Sequence, residues 1–195
     1  APAPVKAAQE VAQARFTAVE DLLNKLFYKW ENQRGIPTDV SIIHRIQSNP
    51  RMLIELVDSG IENHLRRAEN VIRDLDVHDY DAVEDLRRVV TNMHYDITHV
   101  RNISDLKAAK LQQDLGNARR MVKNLKEAHP NIAAKLEDID VSLRWALPKA
   151  NQRESIEDLI TQPAWKKWFD SHEALERAKD AHPSARVEWP TYVVP

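Results

Sequence analysis

A chain of 195 residues, of which 43% are hydrophobic, is long enough to bury a core, and its charged residues nearly cancel to a net charge of −2. That balance excludes a strong overall field for nucleic acid or a membrane surface. Only 3 glycines and no cysteines occur, which argues against phosphate-binding loops, dinucleotide folds, disulfides and thiolate metal sites. The composition predicts an all-α fold in a single domain, residues 1–195.

The N-terminal segment is predicted to begin with an extended, proline-containing arm over residues 1–4, because each proline biases the preceding residue away from the helix. Residues 5–33 then repeat apolar side chains at alternating spacings of three and four, which is typical of an amphipathic helix. Gly35 and Pro37 follow in the places that the end of a helix favours. The pattern therefore predicts one helix of about eight turns.

Two further helices are predicted before residue 80. Thr38 or Asp39 can cap a short helix that carries Val40 and three isoleucines. A second long helix is predicted over residues 50–76, beginning with a proline at the first helical position. Gly60 lies inside it, and glycine is a poor helix former, so a kink or break is expected there.

The longest predicted element is a single central helix over residues 82–128. Val100 and Leu111 are separated by eleven residues, which complete almost three turns, so the apolar stripes on both sides of this gap share one face. In the alternative, Asn102 and Ser104 interrupt the stretch and a second helix begins after them. The first reading predicts an elongated helical bundle built on one very long helix.

The C-terminal part is predicted to hold a helix over residues 131–147 that stops before Pro148, and a short helical piece after Ser155. A last helix is predicted over residues 163–182. Residues 183–195 contain two prolines and no helical period, which predicts an extended arm.

Helical bundles that bind metals or carry out catalysis place a Glu-x-x-His motif on each of two helices, since that spacing points both ligands into the core. The sequence contains no such motif. The nearest approach is Asp96 with His99, in a single copy. We therefore expect no enzyme activity, no catalytic residue, no metal and no cofactor.

A patch of basic residues lies near the end of the predicted central helix and comprises Arg119, Arg120, Lys123 and Lys126. Proteins that bind single-stranded nucleic acid interleave such charges with aromatic side chains, and residues 101–129 contain none. The helix dipole explains cations near a helix C-terminus. We expect no nucleic-acid partner.

Aromatic residues concentrate near the C-terminus, where Trp165 and Trp168 share a face of the last predicted helix. Trp189 and Tyr192 belong to the proline-containing arm, which either folds back on its own bundle or docks in a groove of a neighbouring protein. The candidate partner-binding residues are Val187, Trp189, Tyr192, Val193, Val194, Trp165 and Trp168.

No stretch approaches the roughly 18 apolar residues of a membrane-spanning helix, so we expect no direct span and membrane association only through partners. The chain begins with "APAPV" and without methionine. This start favours a processed chain imported into mitochondria, with a secreted or lumenal location as the alternative.

In overall character, though without a shared motif, the chain resembles the supernumerary or stalk-type helical subunits of mitochondrial inner-membrane complexes such as ATP synthase. The resemblance implies a non-catalytic structural or accessory subunit, a scaffold similar to a peripheral stalk, whose partners are other protein subunits. The alternative is a self-contained secreted or lumenal bundle that binds a hydrophobic ligand.

Overall fold

A computed structural model describes residues 1–33, 40–76 and 80–195 of the chain. Helices account for 84% of these described residues, which include no strand, and the prediction of an all-α fold is confirmed. The helices are α1 (Ala3–Asn32), α2 (Val40–Ser48), α3 (Leu53–Arg73), α4 (Tyr80–Thr98), α5 (Ala108–Ala128), α6 (Ala133–Ile160) and α7 (Pro163–Ala181), with short 3-10 turns at Pro50–Met52, Ile103–Asp105 and Pro130–Ile132.

Two compact units make up the chain. Unit 1 consists of Ala1–Leu53 together with Ser155–Pro195, and unit 2 consists of Ile54–Glu154. Unit 1 thus joins the two ends of the chain, whereas unit 2 is one continuous stretch. The single domain over residues 1–195 stays a prediction.

The core of unit 1 is formed where α1 packs along α7. The ring centroids of Phe16 and Trp168 lie 5.6 Å apart across this contact. The buried side chains of α1 keep the predicted spacing, which places them on one side of the helix. They are Val5, Ala12, Phe16, Val19, Leu23, Leu26, Phe27 and Trp30.

The core of unit 2 is formed by the apolar faces of α3, α4, α5 and the first part of α6. Their fully buried side chains include Ile61, Leu65, Ala68, Leu86, Val90, Met93, Leu115, Ala118, Leu136, Ile139 and Leu143. Gly60 lies inside α3, which continues through it, so the break predicted there is absent. Among the described residues, none of the helices has the length and apolar character needed to cross a bilayer.

The predicted N-terminal arm is wrong, because α1 begins at Ala3 rather than after residue 4. The N–H of Lys6 donates to the carbonyl oxygen of Pro2 at 3.0 Å, which closes the first helical turn. Pro4 is tolerated there because the first N–H groups of a helix have no partner within it. Gly35, Pro37, Thr38 and Asp39, which were predicted to end one helix and begin the next, lie outside the described residues.

The predicted single helix over residues 82–128 is also wrong, since α4 and α5 are separate helices that pack against each other. The backbone N–H groups of Arg101 and Asn102 both donate to the carboxylate of Asp105 at 2.9 Å, which stabilises the turn between them. Ile103 and Leu106 in this connection are buried. The two apolar stripes therefore meet face to face instead of extending along one rod.

The helix predicted over residues 131–147 continues past its expected end. Pro148 lies inside α6, where it lacks the N–H that would bond to the carbonyl of Arg144. Ala146 and Ala150 on either side of it are fully buried, so packing on both sides compensates for the missing bond. The short separate piece predicted after Ser155 is thus the last part of α6.

The last two predicted elements agree with the structure. The helix predicted over residues 163–182 corresponds to α7, Pro163–Ala181. Residues 183–195 contain no helix, which confirms the extended C-terminal segment.

Candidate partner-binding surfaces

The C-terminal segment lies on its own unit, held there by Tyr192. This side chain is 1% exposed, and its hydroxyl donates to Oδ1 of Asn24 on α1 at 2.7 Å. Burial raises the pKa of Tyr192, with smaller contributions from Tyr28 and Glu20. The side-chain amide of Gln47 on α2 also donates to the carbonyl oxygen of Pro190. Two helices of unit 1 therefore hold the segment.

Trp189 completes a row of aromatic rings on α7. Its ring centroid lies 4.7 Å from that of the buried His172. The ring centroids of His172 and Trp168 are 5.3 Å apart, and those of Trp168 and Trp165 are 5.0 Å apart. Val187 packs with Trp189 against a small apolar cluster that includes Leu175. Trp165 and Trp168 are buried. Of the seven candidate residues, the structure thus brings five into the packing of unit 1.

Val193 is the candidate residue that points outward most, with 78% of its surface exposed. Val194 is half-buried. Tyr28 is also largely exposed and lies one turn along α1 from Asn24, the partner of Tyr192. The outward-facing part of the predicted surface is therefore small, although docking of the segment on a partner stays a prediction.

Trp145 on α6 is a candidate partner-binding residue that was not predicted from the sequence. It is 61% exposed, and its ring meets the ring of His64 on α3 edge to face, with centroids 6.0 Å apart and planes at 74°. The sequence held a signal for it, because Trp145 lies two residues from Leu143 and so about 200° around the helix from the buried face. A tryptophan on the polar face of an amphipathic helix is an exception to the pattern.

Two basic side chains lie near this pair of His64 and Trp145. Lys149 follows Trp145 by one turn of α6, and Arg67 follows His64 by one turn of α3. Burial is the main cause that lowers the pKa of His64, and the charges of Lys149 and Arg67 lower it further. We call His64, Arg67, Trp145 and Lys149 the Trp145 surface.

The predicted basic patch on α5 is partly neutralised within unit 2. Arg119 pairs with Asp140 at 3.1 Å, and Lys126 pairs with Glu137. Arg120 and Lys123 are exposed. The expectation of no nucleic-acid partner stays a prediction.

Asp96 and His99, the nearest approach to a metal motif, have separate contacts. Asp96 accepts from Lys110 at 2.8 Å, whereas the ring of His99 stacks on Tyr95 with centroids 3.8 Å apart. The described residues include no group of three or more histidine or carboxylate side chains placed to hold a metal ion. The expectations of no metal, no cofactor and no catalytic residue stay predictions.

Three open pockets on the described surface have charged side chains in their linings. One in unit 1 is lined in part by Lys25, Lys29 and Asp158. Two in unit 2 are lined in part by Arg120 and Lys123, and by Asp105 and Lys107.

Comparison with protein-family models, curated proteins and solved structures gave no match for this chain. Function is therefore inferred from the surfaces of the chain itself.

Proposed function

We propose that this protein is a non-catalytic structural or accessory subunit of a larger protein assembly. The observation that carries the proposal is the contrast among its tryptophans. Trp30, Trp165 and Trp168 are at most 3% exposed, whereas Trp145 is 61% exposed. A large indole left in water is a feature of surfaces that become buried against another protein.

Other exposed side chains support the same proposal. Tyr95 in unit 2 is as exposed as Trp145, and Tyr28 and Val193 in unit 1 are also largely exposed. Tyrosine and tryptophan are enriched where proteins meet, since they bring a large contact area with few rotatable bonds. Their presence on both units fits a subunit whose two units each contact a neighbour.

The resemblance in overall character supports a narrower proposal about the assembly. We propose a mitochondrial inner-membrane complex such as ATP synthase, in which the chain would act as a scaffold similar to a peripheral stalk. Its helices would serve as struts, and membrane association would come through the other subunits.

The proposal is tested by copurification from the native source, with a tagged chain carrying Trp145→Ala. We expect the wild-type chain to bring stoichiometric partner subunits and the variant to lose them, because interface anchors of this type commonly contribute about 2 kcal/mol or more to binding. The melting temperature of the isolated variant should barely change, since an exposed ring contributes little packing.

Trp168→Ala is the matched control, because that ring is fully buried in unit 1. It should lower the melting temperature by many degrees, as expected for a loss of roughly 3 to 5 kcal/mol of core packing. A Trp145→Ala chain that keeps all its partners would contradict the role given to Trp145. A wild-type chain that purifies alone with a stoichiometric hydrophobic molecule would favour the ligand-binding alternative instead.

A further inference from the structure

The Trp145 surface lies where α3 and α6 run antiparallel. Asp58 contacts Arg153, His64 contacts Trp145, and Lys135 donates to the carbonyl oxygen of Asp74 at 3.4 Å. Residues later in α3 therefore contact residues earlier in α6. This register places the four side chains of the surface along one edge of the helix pair.

Gly60 explains how Lys149 is held in this register. A β-carbon at position 60 would lie 2.6 Å from Cδ and 2.8 Å from Cε of Lys149, closer than side chains pack. Because glycine has no side chain, the aliphatic part of Lys149 can lie across α3 there. The ammonium group is thereby kept near His64 and within one turn of Trp145.

The charge of this surface is positive. Arg67 is exposed, and Lys149 is half-buried. On α6 before Trp145, Glu137 and Asp140 both bind Arg144, at 2.9 and 3.1 Å, and Asp138 is exposed about two turns from Trp145. His64 and the exposed indole beside it thus lie close to two cations, Arg67 and Lys149.

We propose that the Trp145 surface docks into an apolar pocket on a partner subunit whose rim carries aspartate or glutamate side chains. The proposal rests on the proposed function and specifies its partner. Trp145 fills the pocket, His64 supports its ring from the side, and Arg67 and Lys149 pair with the carboxylates of the rim. Such an arrangement combines an anchor that contributes affinity with charges that select the partner.

A protein pocket accounts for this surface better than an anionic lipid bilayer does. Stable adsorption to lipid needs a cluster of several basic residues or a broad apolar helix face. The Trp145 surface has one large apolar group and two cations. A single aromatic anchor with a charged rim is the usual form of a protein hot spot.

The experiment uses the full chain with a photo-crosslinking benzoylphenylalanine at position 145, assembled into the complex in the native source. We expect a crosslink to one partner protein, at a peptide that contains aspartate or glutamate. The crosslinked partner, produced as a recombinant protein, then serves as the probe in a direct binding measurement.

Reversing the charges of the Trp145 surface tests whether the rim of the partner's pocket is acidic. The double variant Arg67→Glu and Lys149→Glu should weaken binding to this probe by about tenfold or more, because two attractive pairs become repulsive. Arg120→Glu with Lys123→Glu is the matched control, since it makes the same charge change on α5, and it should alter binding by less than about twofold. Wild-type affinity should fall as salt increases. If the double variant is unfolded by circular dichroism, Arg67→Gln with Lys149→Gln replaces it, with a smaller loss expected.

Equal weakening of binding by the Arg67→Glu, Lys149→Glu variant and by the control would overturn the proposal, as would a crosslink to a peptide without acidic residues. Crosslinks to lipid, or binding to phosphatidylserine vesicles that only the Arg67→Glu, Lys149→Glu variant loses, would assign the Trp145 surface to a membrane instead. A complex that copurifies while position 145 crosslinks to nothing overturns this inference and leaves the proposed function standing. A wild-type chain that copurifies with no partner overturns the proposed function itself.

Discussion

Arg153 on α6 is fully buried in unit 2 and organises the polar contacts there. Its guanidinium pairs with Asp58 on α3 at 2.8 Å and donates to the carbonyl oxygens of Ile103, at 3.2 Å, and Leu106. One side chain thus connects α6, α3 and the turn between α4 and α5. The planar group with five donors suits this role, which a lysine could not fill.

We expect Arg153→Met to lower the free energy of unfolding by roughly 3 to 5 kcal/mol, because it leaves the carboxylate of Asp58 buried without its main partner. Urea denaturation at neutral pH measures the loss. Replacing Asp58 by leucine in the same chain should restore part of it, since no charge then stays buried. Arg144→Ala removes an arginine whose side chain is 45% exposed and should cost less than about 1 kcal/mol. Equal losses for the two arginines would contradict this account.

Glu62 on α3 gives a prediction about pH. Its pKa lies below the ordinary value of 4.5, first because Arg66 hydrogen-bonds to it and also because of His94 on α4. A carboxylate with a lowered pKa stabilises the fold above its unfolded pKa, and this contribution is lost as pH falls through the lower folded value. Glu62→Gln should therefore reduce stability at neutral pH, and the difference from wild type should vanish once the pH falls below the lowered folded pKa of Glu62.

The urea denaturation midpoints of wild type and Glu62→Gln, measured from neutral to acidic pH, test this prediction. Glu10→Gln serves as the control, because it makes the same charge change at an exposed side chain and should change stability less than Glu62→Gln at neutral pH. A difference between Glu62→Gln and wild type that persists in acid would show that the side chain acts through packing rather than charge.

Among the secondary-structure elements, the turn between α4 and α5 shows where periodicity stops being informative. The stripes on residues 82–128 are correctly spaced, and their members Leu86, Val90, Leu115 and Ala118 are buried as expected. Spacing specifies which face of a helix is apolar, but two stripes in phase are equally compatible with one rod and with a hairpin. The hairpin is adopted, with its two apolar faces packed together, and the Asp105 carboxylate satisfies the N–H groups exposed at the turn.

The C-terminal segment gives a prediction at the same scale. Because Tyr192 is buried against α1, Tyr192→Ala should lower the melting temperature of the isolated chain by several degrees or more. Tyr192→Phe should remove only the bond to Asn24, worth about 1 kcal/mol. Val193→Ala is the control, since that side chain is mostly in water and its loss should be close to neutral. Differential scanning calorimetry without any partner measures all three, and an unchanged melting temperature for Tyr192→Ala would favour docking of the segment on a neighbour.

For the whole molecule, the division into two units gives a prediction about folding. Unit 2 is one continuous stretch with its own buried core and the Arg153 contacts, so a fragment of residues 54–154 should fold alone. Circular dichroism should show a helical spectrum and a cooperative thermal transition. Residues 1–53 alone should lack such a transition, because α1 buries its apolar face against α7. A fragment 54–154 that melts without cooperativity would instead support a single domain over the whole chain.

The helical class and the buried face of most helices were determined by the sequence itself, because a period of 3.6 residues is a local property that appears wherever a helix buries one side. The scarcity of glycine determined the lack of strands among the described residues, and the prolines near the end of the chain determined the non-helical segment over residues 183–195, in the same local way. Only the tertiary structure decided that residues 82–128 fold back, that α6 continues through Pro148, and that Trp145 stays in water while Tyr192 does not. These outcomes depend on which apolar surfaces meet and on whether partners far along the chain, such as Asp58 for Arg153, are present to compensate a local cost.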